Sequence, residues 1–391
     1  MQLEFSFFQK GANGSTPPLG ECFFSAISVI ISIIRHTWPV SILSMMTVPP
    51  EESCLSPVAM DPSRVSECHE NPSALIIQSG TIHSMADDSF SLNAPAKINL
   101  WLKVLGKRED GFHELETRMV PVALCDRLRL WPDATLPAGK IGFSCDDPSV
   151  PADGTNLVIK AIRALEAETG VLPGMRVHLE KRIPHGAGLG GGSSDAAAAL
   201  RLVRAAFRPE LQDVVLGGAA AMVGSDVPFF LSGYAADASG RGEVVVPVPE
   251  FRDTSRVFLV KLPFGVSTPW AYRQWKQSSE VPGLPYAPQT TLWGRLVNDL
   301  ERPVFEKYQV LGHLKARLLK CSGVKAALMS GSGSTVFALL EEGAPAGPLE
   351  EAIREEVGAE VDCIWTRLAP GLTPLGIPVQ HLPLPPRDVA F

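Results

Sequence analysis

The sequence predicts an α+β fold built from two domains, and three observations lead to this prediction. Residues 96–104 alternate apolar and polar side chains, which is the period of a half-buried strand. Residues 181–200 run from a glycine-rich loop into an alanine-rich stretch with a strong preference for helix. The chain has 391 residues, of which 45% are hydrophobic, enough to bury the cores of two domains.

Residues 1–84 differ in composition from the rest of the chain. An uncharged run from Cys22 to Ile34 is too short to span a membrane. It lacks the basic start and the small-residue cleavage site of a signal peptide, and the segment is too acidic for a plastid transit peptide. We therefore expect residues 1–84 to be a non-native or disordered extension and Met85 to be the true start.

The strand at residues 96–104 carries two polar side chains that point to one side. Lys97 and Asn99 are two residues apart, so they lie about 6.6 Å apart on the same face. Asp110-Gly111 is a strong hairpin signal, and Phe112 and His113 should emerge just after the turn. The pattern alone also allows an ordinary solvent-facing strand and a surface histidine.

The glycine-rich run at residues 184–194 has the composition of a phosphate-binding loop. Glycines let the backbone approach a ligand, and the free N–H groups at the start of the following helix attract anions. Ser193 or Ser194 is expected to cap this helix, with Asp195 in its first turn. A ligand-free surface loop is the alternative, and we consider it the weaker one because flexible loops rarely run straight into a capped, alanine-rich helix.

Two better-known phosphate loops do not fit. A Walker A loop needs a lysine, and none lies between Gly186 and Leu200. The dinucleotide fingerprint GxGxxG matches formally from Gly186 to Gly191, but it requires a second parallel strand after the helix. Residues 211–223 look helical instead, so a dinucleotide-binding oxidoreductase is only a distant alternative.

Two further segments carry candidate functional groups. Asp226, in the run GSDVPFFL, is either a catalytic carboxylate or the cap of the short segment that follows it. Residues 330–334, SGSGS, precede a strand-like run and form either a second ligand-binding loop or a tight turn. Residues 240–250 are expected to close the first domain, which gives domains at 85–248 and 249–391.

These motifs, in this order, resemble the GHMP kinases. The phosphate loop is similar to that family's PxxxGLGSSxAxxxA pattern, Asp226 to its GxDVPFF motif and SGSGS to its third motif. The version GLGGGSSDAA, with PAKINLWLKVLGKREDGFHEL upstream, resembles the branch that phosphorylates 4-diphosphocytidyl-2-C-methyl-D-erythritol. The resemblance covers residues 92–385. It implies a ribosomal-S5-like N-terminal domain, a ferredoxin-like C-terminal domain and an active site between them.

The resemblance also implies roles for individual residues. Asp226 would be the catalytic base, and Lys97 would position the attacking hydroxyl and favour the charged form of that carboxylate. Phe112 and Tyr272 would stack on the cytosine, although the family commonly has Tyr where Phe112 stands. The ATP-binding residues would be Pro184, His185, Gly186, Ala187, Gly188, Leu189, Gly190, Gly191, Gly192, Ser193, Ser194, Asn156 and Lys181. The substrate-binding residues would be Asn99, Phe112, His113, Thr268, Tyr272, Gly331, Ser332 and Gly333.

Composition limits the partners and the compartment. The formal net charge of −7, without basic stripes, argues against a nucleic-acid partner, and the sequence predicts no membrane partner. Seven cysteines at irregular spacings fit a reducing cytoplasm. ATP is expected as co-substrate with Mg²⁺, and no residue is assigned as a metal ligand because the sequence contains no dedicated metal cluster.

The function that these expectations describe is the transfer of phosphate from ATP to a small molecule with a cytidine diphosphate moiety. Another GHMP small-molecule kinase is the near alternative, and a catalytically inactive nucleotide-binding sensor is the alternative from a different class. A monomer and a weak homodimer both remain open.

Overall fold

The computed structural model of the chain describes residues 89–371. The expectations for residues 1–84 and Met85 lie outside this range. Within it, no helix is long and apolar enough to cross a lipid bilayer. Helices and largely antiparallel sheets make up the described part of the chain, which confirms the predicted α+β class.

The strands form two sheets. The larger, eight-stranded sheet has the order β3-β4-β2-β1-β9-β8, with β5 added on β2 and β6 on β5, and the four-stranded sheet has the order β10-β11-β7-β12. The strands are β1 (Phe90–Lys107), β2 (His113–Pro132), β3 (Ile141–Cys145), β4 (Met175–Glu180), β5 (Ala236–Gly240), β6 (Val244–Pro247), β7 (Arg256–Lys261), β8 (Gln289–Thr291), β9 (Gly294–Asn298), β10 (Val324–Met329), β11 (Thr335–Leu340) and β12 (Asp362–Arg367).

Helices lie against both sheets. They are α1 (Leu157–Thr169), α2 (Gly191–Phe207), α3 (Asp213–Val223), α4 (Val227–Ser232), α5 (Thr268–Gln274), α6 (Glu301–Lys307), α7 (Gln309–Lys320) and α8 (Ala346–Val357). Alanines line the buried face of α2, so this helix approaches β1 and β2 closely. It lies at the centre of the hydrophobic core formed by α1, α2 and the larger sheet.

The long β1–β2 hairpin follows the sequence pattern. The apolar residues at alternate positions of β1 from Leu92 to Val104 are buried, and the turn is at Asp110-Gly111, where Gly111 has φ of 87°. The backbone N–H of Arg108 donates to the carbonyl of Phe112 at 2.8 Å, which closes the turn. The prediction of a hairpin that delivers Phe112 and His113 is therefore confirmed.

The start of α2 differs from the prediction. The helix begins at Gly191, after Gly190 in the left-handed region, and no side chain makes a capping hydrogen bond. Ser193 and Ser194 therefore lie inside the first turn, so the prediction that one of them is the cap is wrong. Asp195 lies beyond the first turn, which corrects that placement too; its side chain is buried and faces the protein interior.

The segment after α2 matches the expectation. Helix α3 covers residues 213–223 of the segment 211–223 that was predicted as helical, so no parallel strand directly follows α2 in the described chain. A dinucleotide-binding unit therefore lacks its second strand here.

The second half of the chain contributes strands to the larger sheet, and the two sheets share a hydrophobic core. Strands β8 and β9 lie in the second half of the chain, yet β9 pairs in parallel with β1 through Trp101↔Val297 and Leu102↔Asn298. Apolar side chains of β1 and β2 pack with those of β7, β10 and β11 in one cluster. This arrangement brings the end of β9 and the loop after β10 next to β1. The domain boundary at 248/249 stays a prediction.

Candidate active site

A cleft of about 1220 Å³ lies at the meeting point of β1, the hairpin turn, the glycine-rich loop and the loop after β10. Many of the residues singled out from the sequence line it together. They are Lys97, Asn99, Phe112, His113, Gly188, Gly190, Asp226, Thr268, Tyr272, Gly331 and Ser332.

Lys97 and Asp226 face each other in this cleft. Lys97 Nζ lies 3.6 Å from Asp226 Oδ2 and donates a hydrogen bond to Asn99 Oδ1 at 2.8 Å. Asn99 Nδ2 in turn donates to Thr117 Oγ1 at 2.8 Å. Lys97 is only 4% exposed, so the alternative of a solvent-facing strand surface is wrong. The chain of bonds holds the ammonium group in place, while the Asp226 carboxylate remains 37% exposed to the cleft.

Asp226 precedes α4 without capping it. Its backbone occupies the N-cap position, but its side chain accepts no capping hydrogen bond, and Pro228 takes the first turn of the helix. The capping alternative is therefore not what the structure contains. A partly exposed carboxylate next to a buried ammonium group is an arrangement suited to accepting a proton from a bound hydroxyl.

The two glycine-containing loops touch each other behind this pair. Ser330 Oγ donates to the carbonyl of Gly188 at 3.0 Å, and the Thr335 N–H donates to the carbonyl of Ala187 at 3.3 Å. A Cβ on Gly188 would lie 2.3 Å from the Ser330 carbonyl oxygen, and the φ of Gly188 is +75°. Only glycine permits this contact. The SGSGS segment is the turn between β10 and β11 and also packs against the glycine-rich loop, while its role in ligand binding stays a prediction.

Aromatic rings gather at the hairpin end of the cleft. The His113 ring stacks on Tyr272 with centroids 5.5 Å apart, and the Trp275 ring meets His113 edge-on at 6.3 Å. Burial, with a smaller contribution from nearby Lys107, lowers the pKa of His113 below its ordinary value. The neutral imidazole is therefore the form favoured near pH 7, with one nitrogen free to accept a hydrogen bond.

Arg241 is a cleft residue that the sequence pattern did not reveal. Phe112 is 51% exposed, and the Arg241 guanidinium lies 4.8 Å from the centre of its ring. Arg241 also donates to Glu243 Oε1 at 3.2 Å. Nothing in the local run GRGE distinguishes such an arginine from an ordinary turn residue, because its neighbour Phe112 is distant in sequence.

Two residues predicted to contact ATP have side chains engaged elsewhere. Asn156 Oδ1 accepts from the Val158 N–H at 2.8 Å, and its amide donates to the Pro151 carbonyl at 2.6 Å, so Asn156 caps α1. Lys181 Nζ forms ion pairs with Asp126 and with Asp195, the latter at 2.9 Å. Neither side chain lines the cleft.

The buried cluster Asp126–Lys181–Asp195 fixes the backbone just before the glycine-rich loop. Asp126 Oδ1 accepts from the N–H groups of Arg182 and Ile183 at 2.6 and 2.8 Å. Burial alone would lower the pKa of Lys181, but the combined effect of the Asp195 and Asp126 carboxylates is larger, so the pKa of Lys181 is raised above its ordinary value. Burial raises the pKa of Asp195 well above its ordinary value. The cluster ties β2 to α2 at the point where the loop begins.

The other residues predicted in the two loops do not line this cleft. Ala187 and Leu189 are buried in the hydrophobic core, and Gly333 is a buried residue of the second loop. The remaining residues form the loop and the first turn of α2, and they are Pro184, His185, Gly186, Gly191, Gly192, Ser193 and Ser194. Their contact with ATP stays a prediction.

Comparison with known proteins agrees with these motifs. Residues 156–234 match the family model of the GHMP kinases N-terminal domain, and residues 287–359 match that of the GHMP kinases C-terminal domain. A 4-diphosphocytidyl-2-C-methyl-D-erythritol kinase of Methylacidiphilum infernorum is 42% identical over 253 residues, covering 64% of this chain and 86% of that protein. The corresponding kinase of Synechococcus sp. (strain JA-2-3B'a(2-13)) is 36% identical over 72% of this chain and 94% of its own length.

Solved structures give the same result. A crystal structure of 4-(cytidine 5'-diphospho)-2C-methyl-D-erythritol kinase aligns with a TM-score of 0.58 at 34% identity, covering 71% of this chain and 99% of that one. Homoserine kinase from Cytophaga hutchinsonii, at 17% identity and a TM-score of 0.53, shares the fold. The chain therefore belongs to the GHMP kinases and, within them, to the 4-diphosphocytidyl-2-C-methyl-D-erythritol kinase family.

Proposed function

We propose that this chain transfers the γ-phosphate of ATP to the 2-hydroxyl of 4-diphosphocytidyl-2-C-methyl-D-erythritol, a step of non-mevalonate isoprenoid synthesis. The observation that carries the proposal is the Lys97–Asp226 pair, 3.6 Å apart, in a cleft that is also lined by Gly188 and Gly331 of the two glycine-containing loops. Family membership supplies the identity of the substrate.

Phosphoryl transfer needs an aligned nucleophile, a base and compensation of phosphate charge. In the proposed reaction the substrate hydroxyl lies beside Asp226, whose carboxylate accepts the proton as the oxygen attacks the γ-phosphorus. Lys97, held by Asn99, orients the same hydroxyl and offsets the negative charge that develops. The bond from the γ-phosphorus to the bridging oxygen breaks, and ADP leaves.

The charge of the cleft fits a substrate with several phosphates. Basic side chains predominate in its lining: Lys97, Lys107, Arg241, Arg273 and Lys276 accompany the single carboxylate of Asp226. Such a surface attracts a nucleotide diphosphate. We assign cytosine to the end of the cleft with Phe112, His113 and Tyr272, where an exposed ring and a neutral imidazole provide stacking and a hydrogen bond.

Mg²⁺ is part of the proposal as a companion of ATP. Within residues 89–371 no three His, Cys, Asp or Glu side chains converge as a metal-binding group. The donor set that remains, the partly exposed Ser193 hydroxyl in the first turn of α2 and the Asp226 carboxylate, fits Mg²⁺, which binds through phosphate oxygens and water with few protein ligands. When bound, Mg²⁺ neutralises part of the phosphate charge.

We place the reaction in the cytoplasm, without a nucleic-acid or membrane partner, and with either a monomer or a weak homodimer as the working form. Cys125, Cys145, Cys321 and Cys363, the cysteines among the described residues, are all free thiols, which supports a reducing compartment.

The test is an assay of the full chain with Mg-ATP and 4-diphosphocytidyl-2-C-methyl-D-erythritol, in which ADP release and the mass of the product are recorded. We expect a product heavier by one phosphate, with ³¹P NMR locating the new group on the 2-hydroxyl. Turnover of homoserine or mevalonate instead would favour another GHMP kinase. Nucleotide binding without turnover of any acceptor would favour the inactive sensor.

A further inference from the structure

The loop Ser330–Ser334 is held from behind by Asn298, a residue outside the cleft. Asn298 ends β9 and is 3% exposed. Its side-chain amide donates to the carbonyls of Met329 and Gly331 at 2.8 and 2.7 Å. Its Oδ1 accepts from the Leu300 N–H at 2.9 Å, so every polar atom of the side chain is used.

The support under Asn298 is rigid. Asn298 is paired with Leu102 of β1, and the next residue, Asp299, donates its N–H to the Leu102 carbonyl at 2.9 Å. Lys97 lies on the same strand. The strand that carries the cleft lysine therefore also fixes the position of the side chain that holds the loop.

A second buried group holds the start of the loop. Glu301 Oε1 accepts from the Met329 N–H at 2.9 Å, and its other oxygen accepts from Lys315 Nζ at 2.6 Å. Glu301 and Lys315 are 2% and 1% exposed. Neither touches the cleft, so both act on it only through the loop.

Holding one carbonyl sets the direction of the next amide. The Gly331–Ser332 peptide is trans, so the Gly331 carbonyl and the Ser332 N–H point in opposite directions. With the carbonyl bound to Asn298, the Ser332 N–H points away from Asn298. Ser332 lines the cleft, and its N–H has no hydrogen-bond partner among residues 89–371.

We infer that Asn298 is a positioning residue: by fixing the Gly331 carbonyl it aims the Ser332 N–H into the cleft as a donor to a phosphate oxygen of the substrate. The inference rests on the proposed function for the identity of that substrate. Without the Asn298 amide the Gly331–Ser332 peptide is free to rotate, and the donor is lost although every cleft side chain remains.

The test compares two equivalent amide-to-carboxylate changes. Asn298→Asp keeps the acceptor for Leu300 and removes both donated bonds. Gln289→Glu is the control. Gln289 Nε2 donates to the carbonyl of Ala327 at 2.7 Å, and Ala327 lies on β10, the strand that also contains Met329. Gln289 makes no hydrogen bond to the loop Ser330–Ser334. We expect kcat to fall about 10- to 100-fold in Asn298→Asp and to change less than about twofold in Gln289→Glu.

The pH profile gives a second readout. A protonated carboxyl can donate one hydrogen bond, so the kcat of Asn298→Asp relative to the wild type should recover as the pH falls. Equal kcat values for the two variants, or a ratio that does not depend on pH, would overturn the inference.

An experiment with cytidine diphosphate alone separates this inference from the proposed reaction. In protein with ¹⁵N-labelled serine, the Ser332 amide resonance should shift on adding CDP in the wild type and in Gln289→Glu, but not in Asn298→Asp. An equal shift in all three proteins, or none in the wild type, would overturn the inference. The expected pattern of shifts in proteins that release no ADP would support the inference and contradict the proposed reaction.

Discussion

Replacing Gly188 with Ala tests the contact between the two glycine-containing loops. The new Cβ would lie 2.3 Å from the Ser330 carbonyl oxygen and 3.0 Å from that of Gly333, both backbone atoms that no rotamer change can move. The φ of +75° adds strain of about 1–2 kcal/mol for a residue with a Cβ. Overpacking costs about 1–3 kcal/mol more. The free energy of unfolding should therefore fall by about 2–5 kcal/mol.

Gly186→Ala is the matched control. Gly186 has a similar φ of +63°, but its Cβ would meet no atom closer than 4.0 Å. We expect the free energy of unfolding of Gly186→Ala to fall only by the backbone strain of about 1–2 kcal/mol. Urea unfolding of both variants, followed by tryptophan fluorescence, gives the two free energies. Equal losses for Gly188→Ala and Gly186→Ala would refute the close contact with Ser330.

Three further predictions concern charge. Lys315→Met should lower the free energy of unfolding by about 3–5 kcal/mol in urea unfolding because it leaves Glu301 buried without its partner. The double variant Lys315→Met/Glu301→Gln should regain most of that loss. Equal losses in the single and the double variant would contradict this prediction. Burial lowers the pKa of His113, so its imidazole stays neutral at the ordinary pKa of 6.5 and is protonated only at lower pH. CDP affinity measured by calorimetry, relative to His113→Gln, should therefore be constant above pH 7 and fall as the pH drops through the lowered pKa. A constant ratio would count against His113. Hydrogen bonds led by that from Thr135 lower the pKa of Asp133 to about 2, so its stabilising effect is present above pH 3.8 and is lost as the pH falls through 2. Asp133→Asn should therefore show a shallower loss of stability than the wild type in acid unfolding, and an unchanged slope would rule this out.

The parts of the fold that the sequence predicted depend on local patterns. The alternation in β1, the Asp110-Gly111 turn and the helix at 211–223 are determined by neighbours in sequence, and the structure contains all three. The cleft pair Lys97 and Asp226 was predictable because both residues lie in motifs of the GHMP kinases.

The parts that were missed depend on contacts between distant segments. The ion pair of Lys181 with Asp126 joins residues that are 55 positions apart, and no local pattern indicates that pairing; the contact of Lys181 with ATP stays a prediction. The cap expected at Ser193 or Ser194 failed because a left-handed glycine ends the loop earlier. Asn298 holds carbonyls 31 and 33 residues further along the chain, so its role becomes visible only once β9 lies beside β1.

The central claim is that Asp226 and Lys97 carry out phosphoryl transfer in this cleft. Rapid-quench measurement of the transfer step with Mg-ATP and 4-diphosphocytidyl-2-C-methyl-D-erythritol in Asp226→Asn tests it most directly, with urea unfolding as the check on folding. Loss of the base predicts a fall in the transfer rate of about 10²- to 10⁴-fold at unchanged stability. A fall of less than about tenfold, below that range, in a folded protein would contradict the assignment of Asp226 as the base.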